Sequence, residues 1–448
     1  MTPQAGEKST RTPLLNEKPA NRDHPDDMTS RLTALWAWLC SPTGVAVNAL
    51  GITQVVSWGT TLYALAVLGG PIGADTGWSP SIVFGGLSIG LLISGAISTW
   101  TGNLLDARGA RSVMSIGSLL NAIGLVALAY APNTWGYLAA WAFLGISMRF
   151  TLYDAAFAAL VQVTPKNGRR AISLLTLWGG FASTVFWPIG HLLNEAIGWR
   201  ETCLIFAALN LLVCMPLHWY GLARQEIDET PVDAEGVARA GNTNDDGYLK
   251  GAERMLAIVL FSIATSSYAF IFGAASVHLV ALIEASGVTA AAAVAIASVK
   301  GVAQVGGRLW EIIFASNMRP INLARVPVWL MPLAFAVLIA IAGGVGPALV
   351  FTVCFGAANG LITIVRGALP LVLFGTEGYG RILGVLATPY LLINAVAPVA
   401  FALVIEYGGY QLGQWTLLGF AIISVIAMEI LAIWYSRRPA ASVGARSV

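Results

Sequence analysis

Long apolar runs separated by short polar breaks set the pattern of this chain from residue 45 onward. They predict helical spans at about 45–69, 80–100, 112–131, 135–161, 170–196 and 199–222. After a polar interval the rhythm resumes at 255–283, 288–314, 326–342, 348–374, 382–405 and 412–434. About 20 apolar residues cross a bilayer as a helix. The pattern therefore predicts an all-α membrane protein, with twelve transmembrane helices in two pseudo-symmetric six-helix halves. The expected organisation is a tail at 1–44, a first half at 45–222, a linker at 223–254, a second half at 255–436 and a tail at 437–448. The first tail is polar and rich in Pro, Lys, Arg and Asp. It is expected to be disordered, with 32–39 lying on the membrane surface. No basic stretch runs straight into an apolar core there, so a cleaved signal peptide is not expected.

Composition narrows the class. Hydrophobic residues make up 56% and charged ones 11%, against about 25% charged in a soluble domain. A soluble core cannot absorb that much apolar side chain. The net charge of +2 is spread among loops and carries no nucleic-acid signal. Outside the spans the basic residues, among them Lys8, Arg31, Arg108, Arg111, Lys166, Arg169, Arg254, Arg319, Arg381 and Arg437, fall on one side of the predicted topology, and only Arg200 on the other. The positive-inside rule then puts both termini in the cytoplasm, of a plasma or bacterial inner membrane. None of the four cysteines forms a C-x-x-C pair, and Cys203 and Cys214 lie about 16 Å apart along one helix. Neither a disulfide framework nor a metal site is expected, and no cofactor. Gly86-Leu87-Ser88-Ile89-Gly90 spells G-x-S-x-G, but inside an apolar span with no strand before it. It reads instead as small residues that let helices approach. With no Walker loop either, the chain is not expected to be an enzyme, and an ion or substrate gradient is the simplest driving force.

One polar hinge organises the first half: Gly102-Asn103-Leu104-Leu105-Asp106-Ala107-Arg108-Gly109-Ala110-Arg111. Read as G-x-L-x-D-x-x-G-x-R, it resembles the loop between helices two and three of the major facilitator superfamily. It keeps Gly102, Leu104, Asp106, Gly109 and Arg111, and has Ala107 and Ala110 where the family usually has basic residues. The resemblance implies that Asp106 pairs with a neighbouring helix and helps hold one face shut. Trp178-Gly179-Gly180 and Phe186-Trp187-Pro188-Ile189-Gly190 are similar to the family's fifth helix, with Trp187-Pro188 where antiporters often carry Gly-Pro. Gly307-Arg308 looks like a decayed copy of the hinge that lacks the aspartate. The likeness covers about 45–434 and is nearest, by general look, to monocarboxylate- and oxalate-transporter-like subgroups.

Charges inside the spans carry the rest, because a charge at mid-bilayer costs at least about 2.5–3.5 kcal/mol and tends to face a wet cavity or a partner. Arg149, Lys300, Arg308 and Arg366 are such residues, with Asp154 the clearest acid. Lys300, Gln304 and Arg308 recur every four positions and share one face of their helix, as do Asn359 and Arg366. Lys300 lies about 18 Å into its span by helical rise, and Arg149 is equally deep. Arg149 and Asp154 are five apart, roughly 140° around a regular helix, and are not expected to pair. For Arg308 and Arg366 the bland reading is that they snorkel to the cytoplasm, or pair with loop acids and lock helices. The candidate substrate site comprises Arg149, Lys300, Gln304, Asn359 and Arg366, completed by Tyr268, Tyr390, Asn394, Gln54 and Trp58. Each aromatic or amide pair among these fits helix packing as well. Asp154 is the expected proton-coupling group, since a carboxyl in apolar surroundings can hold a proton. His191 and His278 are weaker proton carriers, and Pro389 and Pro398 are expected to kink the eleventh span.

The resulting expectation is a secondary transporter working by alternating access on a small organic anion such as a carboxylate, with or without a proton. It is expected to be a monomer whose partners are the lipid bilayer and its cargo, with no nucleic acid. A drug or toxic-metalloid exporter and a transporter-like sensor or receptor are the alternatives. On this topology, reporters active only outside the cell stay silent when fused after Gly241 and after Arg437. An active fusion at either point overturns the orientation.

Overall fold

The computed structural model describes residues 26–165, 167–225, 248–341 and 344–438. The first part of the N-terminal tail (1–25), most of the linker (226–247), Lys166 and the final residues 439–448 lie outside the described residues. Residues 26–40 correct the expectation of a disordered tail. They form helix α1 (Asp26–Cys40), a unit of its own in which Leu32, Leu35, Trp36 and Leu39 recur at helical spacing.

From Pro42 the apolar runs become α2 (Pro42–Thr60), α3 (Ala64–Thr76), α4 (Pro80–Arg108), α5 (Ala110–Ala129), α6 (Thr134–Thr151), α7 (Tyr153–Val163), α8 (Gly168–Gly180) and α9 (Ala182–Ile197). The sixth run is α10 (Trp199–Leu209), a π-helical turn at Asn210–Cys214 and α11 (Met215–Gly221). After the linker come α12 (Gly251–Glu284), α13 (Ala290–Trp310) with a π turn at Glu311–Ala315, α14 (Pro320–Ala340), α15 (Val345–Phe374) and α16 (Tyr379–Ser436). These make eleven helical runs long and apolar enough to cross a membrane among the described residues. The last run leaves helical geometry at Gly408 and at Gly409 (φ 68°) and so supplies two spans. Twelve spans result, as the pattern predicts.

Three runs are broken in the middle. Thr61–Tyr63 separate α2 from α3, and Phe181 separates α8 from α9. Leu152 is extended (φ −81°, ψ −173°) between α6 and α7. Freed backbone groups inside a membrane protein must find partners in protein or face a cavity, so such breaks mark the interior.

Small residues set the closest helix contacts. Gly145 of α6 rests on the backbone of Gly90 in α4, and Ser94 Oγ donates to the Gly145 carbonyl. Within the first half a buried polar network ties four spans together. Asn121 donates to Thr151 Oγ1 (3.1 Å) and to Asn210 Oδ1 (3.2 Å), and Asn210 donates to Thr60 Oγ1 (2.8 Å). His218, fully buried in α11, joins Ser118 Oγ (2.8 Å) to Thr53 Oγ1 (2.9 Å). The second half is held by an apolar core built from α12, α14, α15 and α16, which includes Phe261, Phe335, Phe351 and Phe355.

The two halves meet toward the end that carries the Asp106 hinge. There α4 packs along α16, α7 on α16, and α8 on α13 and α15. By contrast α9, the continuation of α8, makes its substantial contacts with α2, α3 and α10 of its own half. The halves are closed at the Asp106 end and part toward the other.

Replacing Asn210 with Leu leaves Asn121 and Thr60 without their shared partner, a loss of about 1–3 kcal/mol for buried groups left unpaired. The midpoint of thermal unfolding in detergent is expected to fall by several degrees. An unchanged midpoint would show that the network adds no stability.

Candidate functional site

At the closed end the hinge is built by backbone geometry. Gly109 (φ 77°) lets α4 turn into α5, a conformation that L side chains rarely adopt. Gln162 of α7 pins the turn by accepting from Ala110 N (2.9 Å) and donating to Leu105 O (3.1 Å). Arg111 donates to Trp219 O (2.7 Å) and stacks over the Trp219 ring. Asp106 is thereby aimed across the interface, where its carboxylate accepts from Gly380 N (2.9 Å) and Arg381 N (2.7 Å). These amides open α16, so the acid occupies a helix N-terminus whose N–H groups have no partner within the helix. Gly102 lies against the Gly380 carbonyl, and a Cβ on Gly380 would come 2.6 Å from Asp106 Oδ1.

The second half repeats this device, which corrects the reading of Gly307-Arg308 as a copy without its acid. Glu311 stands four residues after Gly307, as Asp106 does after Gly102, with Leu309 in the place of Leu104. It is 2% exposed and pairs with Arg169 (3.7 Å) in the first turn of α8, while Arg169 also donates to Ala315 O (3.2 Å). Each half thus sends an acid from one of its helix ends to the first turn of a helix in the other half. A glutamate standing where an aspartate is sought hid the match.

One level deeper lies a charged cluster. Arg149 and Asp154 form a buried ion pair, contrary to the expectation that they would not meet. The 140° separation assumed an unbroken helix, and the extended Leu152 removes it. Arg366 of α15 reaches the same carboxylate from the other half, 3.4 Å from both oxygens, with its guanidinium 3.7 Å from the centre of the Tyr390 ring. Arg366 therefore neither snorkels nor seeks a loop acid.

Arg308 does not snorkel either. It is 2% exposed, its Nε and Nη1 have no hydrogen-bond partner, and no carboxylate among the described residues pairs with it. The space it fills exists because the opposite residue is Gly180, where a Cβ would sit 2.5 Å from Nη1. Tyr63 and Tyr153 lie within electrostatic reach of it, and the Tyr153 hydroxyl is within hydrogen-bonding reach of the guanidinium. Trp58 packs on Tyr153 (ring centres 5.2 Å apart) and Tyr63 (5.7 Å), and Tyr63 meets Trp187 edge-on (6.4 Å).

The remaining candidates divide. Lys300 sits between the rings of Phe272 and Phe355, 5.1 and 5.2 Å from their centres, and Gln304 accepts from Asn359 Nδ2 (2.9 Å) on the same face. Tyr268 is fully buried with its hydroxyl unpartnered, within electrostatic reach of Tyr390. Asn394 packs on Gly273 inside the second half. Gln54 is tied into the first half, donating to Thr151 O (2.7 Å) and accepting from Trp58 Nε1 (3.1 Å). His191 pairs with Glu195 at an exposed position, and His278 meets Phe401 edge-on and Tyr410 at a tilt. Sequence reasoning placed no weight on Tyr63, Tyr153, Glu311 or His218. Tyr63 and Tyr153 stand just where their helical runs break, a signal that single-span reading does not use.

Residues 49–363 match the family model described as Major Facilitator Superfamily. The chain is 25% identical to the agnestins efflux protein AgnL12 of Paecilomyces divaricatus, over 94% of this chain and 98% of that one. It is also 25% identical to monocarboxylate transporter 11 of Mus musculus, over 39% of this chain and 38% of that one. Among solved structures, that of the human organic anion transporter MFSD10 (TETRAN) superposes with a TM-score of 0.65 at 15% identity. It covers 87% of this chain and 100% of that one, a likeness of fold alone.

If Asp106 and Glu311 close this end, Asp106→Asn combined with Glu311→Gln weakens contacts worth about 1.5–3 kcal/mol each. A cysteine placed at Ile172, fully buried beside Gly367, should then react several-fold faster with a thiol reagent in a Cys40→Ser background. An unchanged rate would mean that the two acids only shape turns.

Proposed function

The chain belongs to the major facilitator superfamily of membrane transporters, and on that premise we propose that it is a secondary transporter for an organic anion held at mid-membrane by Arg308. The observation that carries this reading is a buried guanidinium with Nε and Nη1 unbonded and no counter-charge among the described residues. Four basic side chains, Arg149, Arg308, Arg366 and Lys300, lie within the spans; Asp154 is shared by two of them, and the buried acid nearest Arg308 in sequence, Glu311, is taken by Arg169. Leaving a charge buried without a partner is strongly unfavourable. A carboxylate that binds Arg308 bidentately supplies the missing partner and matches the planar fork of the guanidinium.

Alternating access follows from where the partners sit. Arg308 belongs to the second half, while Gly180, Tyr153 and Trp58 belong to the first. An anion between them interacts with both halves only when they are close, and a ligand shifts a conformational equilibrium by such a difference in affinity. Lys300 lies two turns along α13 from Arg308, about 12 Å by helical rise, and adds to the positive field that draws the anion inward. Arg149 serves indirectly, by sharing Asp154. Asp154 is the group through which a proton couples: once protonated, it loosens its hold on Arg366 and lets the halves separate at that level. The end carrying Asp106 is cytoplasmic in this reading, as are both termini, and the protein acts as a monomer. The efflux activity in the name of AgnL12, the relative aligned over nearly its whole length, supports export as the direction.

Counterflow in proteoliposomes tests the proposal. Arg308→Gln should lower saturable exchange of the cognate carboxylate by about 30-fold or more, the effect of removing one partner of a buried charge pair worth about 2–5 kcal/mol. Arg308→Lys should keep part of it, and both variants should remain folded. Normal transport by Arg308→Gln, or transport of cations alone, overturns the anion reading.

A further inference from the structure

Near the open end, a wide-mouthed cleft of about 750 Å³ lies between α3 and α9, lined by Ala66, Val67, Thr184, Trp187, Pro188 and His191. This is within the range of sites for drug-sized ligands, about 300–1,000 Å³, and far larger than an acid of two to four carbons needs. It is also not isolated from Arg308. Trp187 meets Tyr63 at 6.4 Å, Tyr63 meets Trp58 at 5.7 Å, and Trp58 meets Tyr153 at 5.2 Å, with Arg308 within reach of Tyr63 and Tyr153.

The fifth span links the two places. Gly180, which faces the guanidinium, and Trp187 are seven residues apart, on either side of the break at Phe181. Below Gly180 the span carries Ser173 and Arg169, which approach Glu311. The span thus runs from Glu311 at the closed end, past Arg308, to the Tyr63–Trp187 contact. Ring pairs prefer centre separations of about 4.5–7 Å in tilted or edge-on arrangements. The contacts from Trp187 to Tyr153 fall in that range, and Trp187 keeps about half its surface uncovered (47% exposed).

We infer that the cargo is an amphipathic aromatic carboxylate, with its anionic head on Arg308 and a body of two rings lying along Tyr63 and Trp187 in the cleft between α3 and α9. This rests on the anion reading above and adds the shape of what the anion carries. The head gives Arg308 the counter-charge that no described carboxylate supplies. The body takes up apolar and aromatic surface that a short aliphatic acid leaves empty. Gly180 admits the head, so the same position limits its size.

Binding to the purified full-length chain in nanodiscs separates the possibilities, using 2-naphthoate, propionate and the uncharged 2-naphthylmethanol as probes. Naphthoate is expected to bind at least ten times more tightly than either other probe. Trp187→Ala should remove most of its advantage over propionate while leaving propionate binding unchanged, and Trp187→Phe should restore it. Should Trp187→Ala fail to fold, Tyr63→Leu asks the same question. Gly180→Ala should weaken both acids together. Equal binding of naphthoate and propionate, or an advantage that survives Trp187→Ala, overturns the aromatic cargo while leaving the anion reading intact. Binding of 2-naphthylmethanol as tight as naphthoate overturns it as well. If Arg308→Gln changes the binding of neither acid, the anion reading itself falls, and this inference with it.

Discussion

A guanidinium removed from water needs a counter-charge, and that requirement orders the interior of this protein. Born costs for a buried ion are of order 20 kcal/mol in an idealised low dielectric, and several kcal/mol remain after relaxation. Asp154 answers the need for Arg149 and Arg366 together, and because these arise from different halves, the answer is also a tie across the interface. Arg308 is left over. Around it stand a glycine and two tyrosines, and no carboxylate among the described residues pairs with it, so hydroxyls are at hand but no fixed negative charge. Where one cation is satisfied within the protein and its neighbour is not, the difference marks the part of the interior that waits on something from outside.

The duplication of six spans reaches down to single residues. Asp106 leaves the end of α4 to meet the first turn of α16, and Glu311 follows α13 to meet the first turn of α8. One uses backbone amides, the other an arginine. The first contact rests on the partial positive charge of a helix start, the second on a full one. Copies that diverge in residue type keep their spacing, since position along the helix decides where the acid arrives.

Most of the fold was legible because the bilayer demands long apolar runs, and the runs at 80–100, 348–374 and 412–434 needed no further cue. The edges were less so. Asn322 and Arg325 made the ninth span look late, yet α14 starts at Pro320, and Arg325 finds Glu429 at 2.7 Å. What the sequence concealed was mostly departure from regular helix. Leu152 is an ordinary apolar residue with nothing to announce an extended backbone, and that one residue turns Arg149 and Asp154 from opposed into paired. Likewise His218 sits in an apolar run with partners 100 and 165 residues away, a separation no local pattern encodes. Within the candidate site, charges that share a face of one helix were legible from their spacing. What those faces meet was not.

The contact between α4 and α16 has a mechanical meaning. At Gly102, Gly380 and Gly384 the two helices approach backbone to backbone, Gly102 against the Gly380 carbonyl and Gly384 against the Ser98 carbonyl. A packed side chain can yield by changing rotamer, whereas touching backbones have no such give. This seam can slide or roll, but it cannot compress. It therefore sets a hard limit on how closely the two halves approach along this line.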